Sequence, residues 1–197
     1  MAEVATSPRR SRITPEREAE LYEAVLDLLR EVGYDGLTMD AVATRTRSSK
    51  ATLYRQWGGK AELVARALRH NKPVSAADID TGSLRGDLLQ MVSRQDDCKM
   101  EQDQALMRGL FHAIHGNPEL HQAMRQLLIE PEITGLNELL RRAVARGEIA
   151  ADHPALEYVI HMLVGGFVAR EIVEERLPDQ EFLQRYLKAV VLPALGL

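Results

Sequence analysis

Several absences narrow the reading before any motif is considered. The 197-residue chain has a single cysteine, Cys98, which excludes an intrachain disulfide and fits a reducing compartment. No stretch reaches 18 consecutive apolar residues, so no membrane-spanning helix is expected, and MAEVATSPRRSR lacks the apolar centre of a signal peptide. Cytoplasm is the expected location. No segment alternates apolar and polar residues long enough to predict a strand. No phosphate-binding glycine loop, serine nucleophile elbow or dinucleotide fingerprint is found, and nothing supports an enzyme or a bound cofactor. Net positive charge is also missing: the formal charge is −4.

That last shortage is unevenly distributed. Residues 1–72 hold 13 Lys and Arg against 10 Asp and Glu, whereas the remainder holds 12 against 19. A basic front joined to an acidic body is polarised, and only the front would tolerate a phosphate backbone. Apolar content of 45% and charged content of 27% are those of a soluble globular protein.

The pattern predicts an all-α fold. Residues 1–13, with Arg9, Arg10 and Arg12, read as a disordered basic arm. Thr14 caps a first helix opened by Pro15 and ended by Gly33, with Leu21, Val25, Leu28, Leu29 and Val32 as its buried stripe. Thr38 caps a second helix, in which Met39, Val42 and Ala43 face inward. Thr46-Arg47-Ser48 is a break, after which Ser48 or Ser49 caps a third helix anchored by Leu53 and Trp57. A fourth helix runs from Lys60 to about Asn71, where Pro73 forbids continuation. Further helices are expected near 83–99, 102–115, 118–146, 154–175 and 179–193, and Pro131 should kink or split the third of these.

Two short helices joined by a three-residue break have the size of a helix-turn-helix, whose second helix enters the DNA major groove. With Leu53 and Trp57 turned inward, Lys50, Ala51, Thr52, Tyr54 and Arg55 remain on or near the outer side. Ala51 permits close approach to a base edge, Lys50 can donate to guanine acceptors, and Thr52 can bond a base or phosphate. Tyr54, Arg55 and the cap residue Ser49 suit the flanks of the groove. Thr38 and Lys60 stand at helix starts, where free N–H groups and the helix dipole favour phosphate oxygens.

These residues resemble the N-terminal domain of the TetR (tetracycline-repressor-type) family of bacterial transcriptional regulators. Gly33-Tyr34, Thr38, Ser49-Lys50-Ala51-Thr52-Leu53-Tyr54, Trp57 and Gly59-Lys60 occupy the places of the family pattern, over about residues 14–72. Two departures stand out. Family members usually carry Ala-Gly-Val in the break, so Arg47 must adopt a turn conformation that favours glycine. Arg47 thereby gains a position facing the DNA backbone. The usual histidine-aromatic exit is Gln56-Trp57, which keeps only the aromatic anchor.

The resemblance implies that residues 73–197 form a larger helical domain that binds a small apolar or amphipathic effector and makes a homodimer. It implies a regulator, most often a repressor, that binds double-stranded DNA at a palindromic operator. The chain gives partial independent grounds. Residues 158–169 are apolar on nearly every face, as suits a helix shared with a twin, and Gly165 and Gly166 would allow close approach. Phe182, Tyr186 and Val190 follow at four-residue spacing for a second interface helix. The candidate effector pocket comprises Met91, Met107, Phe111, His112, Met124, Leu128, Tyr158, His161, Met162 and Phe167, flexible thioethers and rings with a few polar handles.

His112, His115, Glu119 and His121 are close in sequence, but Gly116-Asn117-Pro118 breaks the helix between them, so no metal site is expected. Cys98 lies in an acidic run that would raise its thiol pKa, which argues against a reactive thiol. The alternative function is a helical small-molecule-binding or protein-interaction module that no longer reads DNA. Its support is the altered turn at Arg47 and Ser48.

Overall fold

The computed structural model describes residues 13–71, 76–93, 104–176 and 178–197, except the side chains at 104, 105, 107 and 108. All regular structure among these residues is helical. Cys98, Met100 and the expected continuation of the fifth helix beyond residue 93 lie outside the described residues.

Helix α1 spans Pro15–Gly36. The Thr14 Oγ1 accepts from the Arg17 N–H at 3.3 Å, and Glu16 and Glu18 lie in the first turn, where the dipole favours them. Gly33 leaves helical geometry at φ 68°, a conformation open to glycine, and the chain recloses as the Leu37 N–H bonds the Gly33 and Tyr34 carbonyls at 3.2 Å. This break corrects one expectation. Val32 does not continue the buried stripe but is 49% exposed, whereas Tyr34, just past the break, is buried.

Helices α2 (Met39–Arg45), α3 (Lys50–Trp57) and α4 (Lys60–His70) complete the front end. Their core is Leu26, Leu29, Val42, Leu53, Trp57, Leu63 and Val64, all essentially sealed from solvent. Each such side chain contributes about 1.5–3 kcal/mol on burial, so α3 is held mainly by two residues.

This core does not end at the front four helices. Leu106 and Leu110 of α6 (Gln104–Gly116) and Leu120 and Met124 of α7 (Pro118–Met124) belong to the same cluster. Helix α5 (Leu84–Ser93) lies instead in a second cluster, with α8 (Glu130–Ala145), α9 (Val159–Glu174) and the C-terminal helices. A polar clasp joins the start of α5 to the end of α8. The fully buried Asp87 accepts from the Thr81 N–H at 2.6 Å and hydroxyl at 2.7 Å, and Glu148 accepts from the Leu84 N–H at 2.7 Å.

The helix is not divided at Pro131, where the backbone stays helical. Helix α7 passes into α8 through a wide turn of π geometry at Arg125–Ile129. The same solution recurs between α10 (Gln180–Tyr186) and α11 (Leu192–Ala194), where a wide turn at Leu187–Val191 precedes Pro193. In both places the proline follows the wide turn by two residues. A proline offers no N–H and its ring crowds the carbonyl four residues back, so widening the preceding turn keeps the helix continuous.

Candidate nucleic-acid interface

The interface begins with two caps. The Thr38 Oγ1 accepts from the Ala41 N–H at 3.1 Å, and the Ser49 Oγ accepts from the Thr52 N–H at 3.1 Å while pairing with the Thr52 hydroxyl at 2.8 Å. Of the two candidate caps for α3, Ser49 is the one used. Thr52 is half-buried by this pairing, whereas Lys50, Ala51, Tyr54 and Arg55 are exposed. The outer face of α3 is therefore the one expected from the spacing of Leu53 and Trp57.

The turn between α2 and α3 closes without glycine. Arg47 takes the left-handed conformation at φ 50°. The Ser48 N–H returns to the Ala43 carbonyl at 2.9 Å and the Arg47 N–H to the Thr44 carbonyl at 3.3 Å, closing the end of α2 as a Schellman-type motif. Thr46 is buried, its hydroxyl donating to the Val42 carbonyl at 2.7 Å. Arg17 of α1 donates to the Thr46 carbonyl and also pairs with Glu20 at 2.8 Å. The side chain of Arg47 stays exposed. The altered turn thus leaves the cap and the anchors of α3 in place, which removes the structural ground for a motif unable to present its second helix.

Trp57 anchors the other end. Its indole N–H donates to the Tyr22 hydroxyl at 3.0 Å, and that hydroxyl donates to Glu18 at 2.6 Å. Burial, reinforced by the bond to Glu18, pushes the Tyr22 phenol up to about 12. The Lys60 ammonium donates to the Tyr34 carbonyl at 2.9 Å and stands 4.2 Å over the Tyr34 ring. It is thus turned partly inward, and the free N–H groups at the start of α4 are the more open phosphate donors there. The Tyr34 phenol is raised to about 12 by burial, then by Glu119 and Asp35.

Three partners escaped the sequence reading. Arg17 braces the turn, Tyr22 braces Trp57, and Asp40 meets Lys50 with 2.8 Å between Oδ2 and Nζ. The bond to Asp40 raises the Lys50 pKa. A Thr-x-Asp at the start of α2 and a lysine opening α3 were visible, but their meeting depends on the crossing of the two helices.

The candidate effector residues are divided between the two cores. Met124 and Leu128 belong with the first, and Met91 and Met162 with the second. Phe111 and Phe167 are half-buried, while His112, Tyr158 and His161 are exposed. The Met107 side chain lies outside the described residues.

The candidate dimer residues also separate. Gly166 is buried beneath the Tyr186 ring of its own chain, so that a Cβ there would lie 2.7 Å from that ring, whereas Gly165 has no neighbour within that reach. The Tyr186 hydroxyl donates to the Met162 carbonyl at 3.1 Å, and Phe182 stacks on Tyr186 with centroids 5.9 Å apart. Val190 is exposed, as are Val164, Ile172 and Val173, the last two at 75% and 79%. Arg170 is buried on the inner side of α9, 4.0 Å over the Phe182 ring and 3.3 Å from Asp179. Asp179 is held below the usual carboxylate range by the Phe182 backbone N–H and the Arg170 charge.

Comparison with known proteins assigns this architecture. Residues 21–67 match the family described as bacterial regulatory proteins, tetR family, and residues 78–190 match the tetracyclin repressor-like C-terminal domain. An HTH-type transcriptional regulator of Mycobacterium tuberculosis is 36% identical over 182 residues, covering 91% of this chain and 88% of its own. A DNA-binding transcriptional repressor, TetR, of Mycobacteroides abscessus is 31% identical over 177 residues, covering 89% of this chain and 92% of its own. A crystal structure of a TetR family transcription regulator superposes with a TM-score of 0.68 at 27% identity, covering 92% of this chain and 98% of that one. No described helix is long and apolar enough to cross a membrane. The chain belongs to the TetR family of helix-turn-helix DNA-binding transcriptional regulators, a family that is not enzymatic.

Proposed function

We propose that the protein is a homodimeric repressor that reads a palindromic operator with two copies of α3 and releases it when a small apolar or amphipathic effector binds the larger domain. One observation carries the DNA half of this reading. Leu53 and Trp57 fix α3 by one face, which leaves Lys50, Ala51, Tyr54 and Arg55 outward between two capped helix starts. Thr38, Ser49, Arg47, Thr52 and the start of α4 at Lys60 serve as phosphate contacts around that helix.

Dimerisation is supported by the exposed apolar stripe of α9, with Val164, Gly165, Ile172 and Val173, and by Val190 near the C-terminus. A second copy would cover this surface and set the two α3 helices roughly 34–36 Å apart, one turn of DNA. The effector half is supported by the continuous core in which Leu120 and Met124 of α7 join the front helices. A ligand that favours one arrangement of α7 against α4 changes operator affinity by no more than its differential affinity for the two states. The repressor sense follows the Mycobacteroides abscessus relative.

The test is fluorescence anisotropy with duplexes tiling the intergenic DNA beside the gene. One palindromic fragment should bind far more tightly than random duplex, two chains per site, with an affinity that falls steeply with salt. Lys50→Ala with Tyr54→Ala should abolish that preference. Equal binding of all fragments, or a double variant that binds like the parent, would sink the proposal.

A further inference from the structure

The outer edge of the motif carries a carboxylate where phosphate repulsion argues against one. Asp40 is the second residue of α2, its side chain is 72% exposed, and it meets the 49%-exposed Lys50 at 2.8 Å. As a staple for the fold this pair is weak. Exposed pairs contribute about 0.2–1 kcal/mol, and the buried Val42 and Leu53 already hold α2 and α3 together.

Its consequences for Lys50 are larger. As the first residue of α3, Lys50 lies at the positive end of that helix, where a cation is disfavoured, and the Asp40 carboxylate offsets this. A lysine left free at a groove edge is drawn to phosphate, a contact that carries no sequence information. An ammonium has three N–H donors. With one given to Asp40, two remain for the paired acceptors of guanine, O6 and N7.

We infer that Asp40 is a specificity-positioning residue, which holds Lys50 toward base edges and away from the sugar-phosphate backbone. This rests on the reading of α3 as the groove-entering helix. Asp40 contributes little to the total strength of binding, and its carboxylate disfavours DNA in general. It widens the gap between the right sequence and the wrong one by suppressing the wrong one.

The test uses the full chain, a duplex enriched from a randomised library by the unaltered protein, and an unselected random duplex. Asp40→Ala should tighten binding to random duplex by about tenfold, with the slope of log K against log salt steeper by about 0.9. The ratio of affinities for the enriched and random duplexes should shrink accordingly, and Asp40→Asn should behave alike. In a Lys50→Ala background the same substitutions should leave the ratio unchanged. A ratio that survives Asp40→Ala overturns the inference, since simple charge removal strengthens binding to both duplexes alike, and one that falls equally in the Lys50→Ala background overturns it too, since Asp40 then does not act through Lys50. Thermal unfolding of each variant should stay within about 4 °C of the parent, because an exposed pair contributes about 1 kcal/mol at most. Should no duplex be enriched, or Lys50→Ala leave the ratio untouched, the groove reading of α3 itself fails and the inference fails with it.

Discussion

The Trp57 indole and the Tyr22 hydroxyl meet at 3.0 Å across 35 residues of sequence, and this bond ties the far end of α3 to α1. The two rings also meet edge to face, 6.0 Å between centroids, so apolar contact and a directed bond coincide at one point. Both side chains are buried, which leaves no water to replace either partner.

Tyr22→Phe should therefore cost about 1–3 kcal/mol, the penalty of leaving a buried indole N–H unpaired. Urea unfolding followed by Trp57 fluorescence should show the midpoint falling with little change in slope. A midpoint equal to the parent's would mean that the bond is dispensable.

The same hydroxyl predicts an alkaline transition. Tyr22 and Tyr34 are both raised to about 12 in the folded chain, chiefly by burial, from an ordinary value of 10. Above pH 10 the unfolded chain sheds these protons while the folded chain keeps them, so the unfolded state binds fewer and stability falls as pH rises. The contribution is fully present below pH 10 and is lost between pH 10 and about 12. Denaturation at stepped pH should show this decline, made shallower by Tyr22→Phe.

Arg47 should trade stability against DNA affinity. Its left-handed backbone at φ 50° costs about 1 kcal/mol relative to glycine, so Arg47→Gly should stabilise the chain by about that amount. The same variant loses a proposed phosphate contact, and the salt slope of operator binding should fall by about one. A higher melting temperature with weaker binding is the expected pair of results. Unchanged binding would remove Arg47 from the interface.

Gly165 and Gly166 are adjacent yet should respond oppositely. A methyl group at Gly166 meets the Tyr186 ring at 2.7 Å, so Gly166→Ala should destabilise the chain by forcing that ring outward. Gly165→Ala meets nothing within 4 Å among the described residues and should gain up to about 1 kcal/mol in helix propensity. Unfolding at protein concentrations low enough to keep the chain monomeric separates these effects from any contact with a second copy.

The exposed stripe on α9 supplies the last expectation. Ile172→Lys and Val164→Lys place charge on a surface that the proposed dimer buries, and should weaken self-association by about tenfold or more, an unpaired buried charge being costly. Light scattering after size exclusion should show the mass halving while circular dichroism stays helical. A chain that remains dimeric with both lysines places the interface elsewhere.

The helices and the motif were legible in the order of amino acids alone, because the bonds that set them are short. Thr14, Thr38 and Ser49 each cap through an N–H three residues ahead, and Leu53 with Trp57 faces inward by four-residue spacing. Gly33 was legible as a stop, yet the burial of Tyr34 beyond it was not, since the irregular backbone there breaks the helical periodicity. The packing of the helices settled which polar ends meet: Arg17 with the Thr46 carbonyl, Asp40 with Lys50, Lys60 with Tyr34, and Arg170 with Asp179. It also decided that α6 and α7 share a core with the front helices, and that Gly166 lies against its own chain. Such pairings depend on the angles and offsets at which whole helices pack, and those are set by the summed fit of distant side chains rather than by any local run of residues.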